Sequence, residues 1–308
     1  MAYVSNYLNQ VSLLLQVLPT INEQPCFALK GGTAINLFFR NMPRLSVDID
    51  LAYLPIEPRE QFLKNITLEL ETLAENISKH SNGKYKINKF FIKENNQLSK
   101  LMVSNSDSQI IIEPNLVLRG SVFECETKTL CPQAQDEFLS FFKIKTLSLA
   151  DVYAGKFCAA LSRQHPRDLF DVKLLFENEG ITDAIRQAFL VYLASSPRPM
   201  HEMLNPNPTL VNLRQAFNAE FVGMTSLAVT CDDLVKTRID LIQHLLKSFT
   251  NNERQFLISI KEGNPNWSHL PIPGIEKLPG IAWKVMNIRK MDKQKQVIAL
   301  DNLKRVLA

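Results

Sequence analysis

The chain has no run of 18 apolar residues, so no segment is long enough to cross a bilayer as a helix. Its N-terminus, MAYVSNYLNQVSLLLQVLPT, lacks a basic n-region and interrupts its apolar stretch with Asn9, Gln10 and Gln16. That pattern predicts an amphipathic helix instead of a signal peptide, and with it a cytoplasmic protein. CxxC spacing is also missing. The five cysteines (Cys26, Cys125, Cys131, Cys158 and Cys231) are odd in number and scattered. They are expected as reduced, mostly buried thiols, which excludes a disulfide frame or a zinc site. No internal repeat or low-complexity tract occurs. A strong charge of either sign is absent as well: the net charge of +4 permits an anionic substrate without demanding one.

What remains is a globular composition. Hydrophobic residues at 45% and charged residues at 21% suffice for a real core, and 308 residues are too many for one core of usual size. Two domains are therefore expected, 1–145 and 146–308. The first mixes periods. Ser46-Val-Asp-Ile-Asp-Leu51 alternates with the period of two that marks a strand, whereas Phe62, Ile66, Leu70, Leu73 and Ile77 form a helical stripe. Strands are expected over Tyr85–Ile92, Leu98–Val103, Gln109–Leu118 and Val122–Leu130. From Ser148 the signal is helical, with Pro166 placed to open one helix and Gly180 to end it. Further helices are expected near 182–195, 209–222, 232–249 and 253–261, then a Pro-rich connector (264–279) and a last pair, 281–290 and 293–307. The fold class is α+β, a small mixed-sheet lobe followed by an all-helical lobe.

Asp48 and Asp50, two apart in an alternating strand, point to one face. Two carboxylates so placed describe either a solvated strand face or oxygen ligands for Mg²⁺ (or Mn²⁺), which takes phosphate oxygens as further ligands. Upstream, Gly31-Gly32-Thr33 opens a helical pattern. It reads as a tight turn or as a place where backbone N–H groups approach a phosphate. Glu113 ends the β-branched run Ile110–Ile112 and is either an exposed strand end or a third metal ligand, since a buried carboxylate without a partner costs several kcal/mol. In the helical half, Lys156 and Arg163 lie seven apart on one face, followed by Arg167, Asp168 and Asp171. They are solvated surface, or cations that hold a triphosphate with the acids fixing the lysine.

The basic segment 284–308 holds Lys284, Arg289, Lys290, Lys293, Lys295, Lys304 and Arg305 against Asp292 and Asp301. It is a solvated face or, with the basic stretch Lys79–Lys93, an RNA-backbone contact. Trp283, Val285, Ile288, Val297, Ile298 and Leu303 are expected to face the core.

GGTAINLFFR…RLSVDIDL resembles the first motif of the DNA-polymerase-β-like nucleotidyltransferase superfamily. DVYAGKFCAALSRQHPRDLFD is similar to the later motifs of its AbiEii-type toxin branch. The resemblance spans about residues 25–175 in matching order. It implies transfer of NMP from an NTP to an RNA acceptor, notably the tRNA 3′ end, and neutralisation by a cognate antitoxin in a toxin–antitoxin or phage-defence setting. It implies Asp48 and Asp50 as metal ligands, with Glu113 the third carboxylate. Gly31, Gly32, Thr33 and Ser46 would lie at the nucleotide, with Lys156, Arg163 and Arg167 as nucleotide-binding cations and Asp168 or Asp171 as the acid of the last motif. Modification of a protein hydroxyl with AMP or UMP, and a non-catalytic RNA-binding relative, are the alternatives.

Overall fold

The computed structural model describes residues 3–94, 96–206 and 212–308. The chain divides into two compact units, Met1–Ser148 with Val222–Ala228, and Leu149–Phe221 with Val229–Ala308. The segment 222–228 lies in the half that a linear boundary near residue 145 gives to the second domain. It joins the first unit because Leu45 N–H donates to the Met224 carbonyl and the Thr225 hydroxyl donates to the Pro43 carbonyl.

The first unit opens with α1 (Ser5–Ile21), β1 (Phe27–Lys30) and α2 (Gly31–Ala34). A π-helical turn, Ile35–Phe39, continues α2. Then come β2 (Asp48–Tyr53), α3 (Arg59–His80), β3 (Lys86–Ile92), β4 (Gln97–Ser104) and β5 (Gln109–Pro114). The unit closes with β6 (Glu126–Thr129), α4 (Pro132–Phe138) and β7 (Lys143–Thr146). Among the described residues the strands form one seven-stranded mixed sheet in the order β3-β4-β5-β2-β1-β7-β6. β2 runs antiparallel to β1 and parallel to β5. Helices α1 and α3 pack together on one face of this sheet. That face is apolar: Ile49, Leu51, Leu101, Val103, Ile110 and Ile112 are all buried there, against the stripe of Phe62, Ile66, Leu70 and Leu73. At roughly 25 cal/mol per Å² of apolar surface removed from water, each such side chain stabilises the unit by about 1.5–3 kcal/mol.

Several expectations need correction. The strand over 109–118 stops at Pro114, because the Asn115 side chain accepts from the backbone N–H groups of Val117 and Leu118 and turns the chain. The strand over 122–130 is only Glu126–Thr129, and α4 and β7 stand where no element was expected. β7 is four residues of alternating charge and apolarity, too short to show a period on its own. All five cysteines are free, but only Cys131 is buried; the other four are half-buried.

The second unit is helical: α5 (Leu149–Arg163), α6 (Pro166–Glu177), α7 (Asp183–Ser195), α8 (Met200–Leu204), α9 (Leu213–Glu220), α10 (Cys231–Ser248), α11 (Asn251–Lys261), α12 (Pro279–Arg289) and α13 (Lys293–Leu307). The start of the helix expected near 209–222 lies outside the described residues at 209–211. Pro166 opens α6, and Gly180, at φ 69°, follows its end. No helix among the described residues is long and apolar enough to cross a membrane.

In the basic C-terminal segment Val285, Ile288 and Leu303 are buried, but Trp283, Val297 and Ile298 are 38%, 56% and 58% exposed. The stripe expected to face the core is therefore split. Lys284 is buried, and its ammonium donates to the carbonyls of Ser196 and Arg198 at 2.7 Å each. Burial, followed by the charge of Lys261, pushes its pKa down to about 8. Arg289 Nε donates to the Gly263 carbonyl at 2.7 Å. Lys284 is thereby taken out of the exposed basic face, whereas Arg289 stays exposed with its remaining N–H groups.

The start of α11 gives a test of this unit. Thr250 accepts from Glu253 N–H at 3.2 Å, and the Glu253 carboxylate accepts from Thr250 N–H at 2.8 Å and from Arg186 Nε at 3.0 Å. Replacing Thr250 with Ala leaves a helix-start N–H unsatisfied and should lower stability by about 1 kcal/mol in urea unfolding.

Candidate active site

The site begins with strand register. β2 pairs with β5 so that Asp48 stands opposite Ile111 and Asp50 opposite Glu113. On the other side Lys30 of β1 stands opposite Asp50. Directly paired residues share a face, so Lys30, Asp50 and Glu113 form a row across three strands, with Asp48 two residues along the same face. This is the face away from α1 and α3. Ile49 and Leu51 between the aspartates point to the apolar side, which is why DID alternates. β4 extends the row: Leu101 pairs with Ile112, which brings Lys100 level with Glu113. Lys30, Asp50, Ser99, Lys100, Glu113 and Asn115 line one cavity of about 400 Å³. Two carboxylates held side by side repel, and a lysine on each side of the pair offsets part of that repulsion.

The glycine pair clears this row. Gly31 has φ 71°, and a Cβ built there would overlap the Asp50 carboxylate. A Cβ on Gly32 would lie 2.7 Å from Arg44 Nη2 and 2.9 Å from Ser46 Oγ. Neither position admits a side chain, for two different reasons. Thr33 and Ser46 are joined to each other and to β2 inside the fold. Both are buried. The Thr33 hydroxyl donates to the Asp48 carbonyl at 2.5 Å and is hydrogen-bonded to the Ser46 hydroxyl at 3.0 Å. They fasten α2 to the start of β2, and their polar capacity is spent inside the fold. The helix after the glycine pair is also short. Four α-helical residues pass into a π-helical turn, so little macrodipole is available there.

The expected triad is not assembled as a triad. Among the described residues no three His, Cys, Asp or Glu side chains form a metal-binding group. What the fold brings together is the pair Asp50 and Glu113, with Asp48 on the same face but outside the lining of their cavity. The donor chemistry still fits a hard divalent cation: all oxygen, on a face the apolar core does not occupy, at a cavity that Asp50 and Glu113 both line.

In the helical unit Lys156 is not on the surface. Its exposure is 6%, and its ammonium contacts Asp168 Oδ1 at 3.0 Å and Asp171 Oδ2 at 2.9 Å, both aspartates being fully buried. Arg163 Nε donates to Asp168 Oδ2 at 2.6 Å and Arg163 Nη2 to Oδ1 at 3.0 Å. Burial alone would raise the Asp168 pKa; the Lys156 charge and the Arg163 hydrogen bonds outweigh it and hold that carboxyl well below the usual range. Asp168 and Asp171 thus fix the lysine, and Arg163 and Arg167 lie on the same α5–α6 turn, 61% exposed and half-buried respectively. Lys30 and Lys100 were missed by sequence reasoning. Their only signal was position, one ending the strand before Gly31 and the other inside a basic hairpin, and neither means anything until the register is known.

A sheet that offers carboxylates on the face opposite α1 and α3, where the glycines of α2 abut Asp50, is suited to hold a polyphosphate through cations. That is the working arrangement of a nucleotidyltransferase. The family model described as "Nucleotidyl transferase AbiEii toxin, Type IV TA system" matches residues 12–252, and the chain belongs to that family. No curated protein sequence matches it. Among solved structures it is similar to MenT4, a nucleotidyltransferase toxin from Mycobacterium tuberculosis H37Rv. That likeness has a TM-score of 0.62 at 12% identity, covering 98% of this chain and 94% of that one, and it is a likeness of fold.

Two outcomes are expected. Gly31→Ala should abolish nucleotidyl transfer, because its methyl displaces the Asp50 carboxylate. Gly83→Ala, at nearly the same φ (72°) but with nothing within 4 Å, should lose only the strain of about 1–2 kcal/mol and keep its activity. Asp168→Asn should destabilise the helical unit by about 3–5 kcal/mol at neutral pH, since Lys156 loses a charged partner in a buried setting. The Asp168 pKa is depressed in the fold, so its contribution is present above the unfolded value near 3.8 and is lost as pH falls through the folded value. Urea midpoints should show the wild-type advantage shrinking below about pH 4 and constant above pH 5.

Proposed function

We propose that this enzyme transfers NMP from an NTP to the 3′-hydroxyl of an RNA, with the acceptor end of tRNA as the leading candidate. The observation that supports this most directly is the Asp50–Glu113 pair on the face opposite α1 and α3, with the Asp50 carboxylate packed against Gly31. The acceptor hydroxyl oxygen attacks the α-phosphorus of the NTP, the bond to the bridging oxygen of the β-phosphate breaks, and pyrophosphate leaves. Asp48, Asp50 and Glu113 are the residues that would hold Mg²⁺ or Mn²⁺, and the bound cations would neutralise phosphate charge and acidify the acceptor hydroxyl. A carboxylate of the pair receives the hydroxyl proton.

Lys156 is proposed as a nucleotide-binding cation. Two of its three ammonium hydrogens are directed at Asp168 and Asp171, which orients the third. Asp168 and Asp171 are then positioning residues. Arg163 and Arg167 add positive potential to the same turn. As a member of a toxin family the protein is proposed to have a cognate antitoxin and to act in the cytoplasm, where NTP and RNA are present.

Basic charge favours RNA over protein as acceptor: residues 79–100 carry six lysines against one acid, Glu94. Labelled NTPs supplied with total RNA and with total protein should put label into RNA. Label in protein alone would replace this reading with protein NMPylation, and label in neither would leave a non-catalytic relative. Asp50→Asn and Glu113→Gln should each lower transfer by at least a hundredfold with unchanged circular dichroism, because a neutral amide removes charge needed at the cation. Either variant working at the wild-type rate would refute the metal assignment. Chelation with EDTA should stop transfer, and added Mg²⁺ or Mn²⁺ should restore it.

A further inference from the structure

The row of residues through the carboxylate pair does not end at Lys100. β3, the outermost strand on that side, pairs with β4 so that Phe90 stands opposite Lys100. The face opposite α1 and α3 therefore reads Lys30, Asp50, Glu113, Lys100, Phe90 from β1 outward. Phe90 is 41% exposed, and Lys100 Nζ lies 5.9 Å from its ring centroid. Ile92 and Ser99, the residues next to this pair, line the same cavity as Asp50 and Glu113. Lys86, two register steps along β3, shares the face, whereas Lys89 points to the other side and reaches Glu71 of α3 at 3.7 Å.

An exposed phenyl ring on an edge strand costs solvation and contributes nothing to the core, which lies on the opposite face. With cations beside it and an acid pair inboard, it has the makings of a stacking platform for single-stranded nucleic acid: aromatic faces for bases, lysines for phosphates. We propose that Phe90 stacks a base of the RNA acceptor upstream of its reactive 3′ end, while Lys100 and Lys86 contact the intervening phosphates. This rests on the RNA-acceptor reading above and assigns the path of the strand on that same site. Three strand spacings separate Asp50 from Phe90, about 14 Å, or on the order of two to four nucleotides from the hydroxyl that reacts. The hairpin thus selects an acceptor with an unpaired 3′ overhang, since a base within a duplex cannot present its face to the ring.

The test is steady-state transfer to an oligoribonucleotide of eight unpaired nucleotides and to a dinucleotide, with wild type, Phe90→Ala, Phe90→Leu and Phe90→Trp. The octamer KM should rise about tenfold in Phe90→Ala and in Phe90→Leu, which keeps apolar bulk without the π face, and should be retained in Phe90→Trp. The KM for NTP should not move, and the dinucleotide, too short to reach β3, should react equally well with all four proteins. Lys100→Gln should flatten the log–log salt dependence of octamer binding by about 0.7. An unchanged octamer KM in Phe90→Ala and Phe90→Leu, with wild type active on RNA, would overturn the stacking proposal and leave the acceptor reading standing. A defect that extends equally to the dinucleotide would make Phe90 merely structural and overturn it too. Wild-type transfer to protein and to no RNA would overturn both, and would point to a polypeptide paired along the β3 edge.

Discussion

Charge repulsion between neighbouring carboxylates is the constraint around which the first unit is organised. Asp50 and Glu113 stand side by side because β2 and β5 run parallel in one register, and a one-residue slip would send Glu113 into the apolar layer under α1 and α3. The pairing is held from several directions. Ile49, Leu51, Ile110 and Ile112 anchor both strands by burial, Thr33 ties the helix entry to the Asp48 carbonyl, and Lys30 and Lys100 flank the pair. Hydrophobic burial on one face thus stabilises an arrangement on the other that electrostatics alone would disfavour.

The helical unit handles charge in the opposite way. There a cation is taken out of water and surrounded by anions: Lys156 between Asp168 and Asp171, with Arg163 completing the set. Taking these groups from water is costly, and removing one partner leaves an uncompensated charge, so the cluster contributes definition of position more than net stability. A lysine held this way keeps its direction, which a flexible surface lysine does not. Family membership makes the chain a toxin nucleotidyltransferase.

Much of this was legible in the sequence because it depends on local periodicity. The alternation in SVDIDL set Asp48 and Asp50 on one face, the stripe from Phe62 to Ile77 defined α3, and Pro166 and Gly180 bounded α6. Hydrophobic pattern and backbone chemistry act within a few residues, so a linear reading captures them. The order of motifs, GG…DxD…K…RDxxD, was enough to indicate the family.

Only the tertiary structure decided what those residues touch. Thr33 and Ser46 are bonded to each other, and Thr33 to β2, because the chain between them folds back onto the strand. Lys284 was counted among cations for RNA and is buried against two carbonyls 86 and 88 positions away. Trp283, Val297 and Ile298 were assigned to the core and face solvent, since a helical stripe fixes which residues share a side and not which side is covered. The row Lys30, Asp50, Glu113, Lys100, Phe90 comes from five strands whose residues are up to 83 positions apart. Register between strands is set by long-range packing, and a sequence determines it without displaying it.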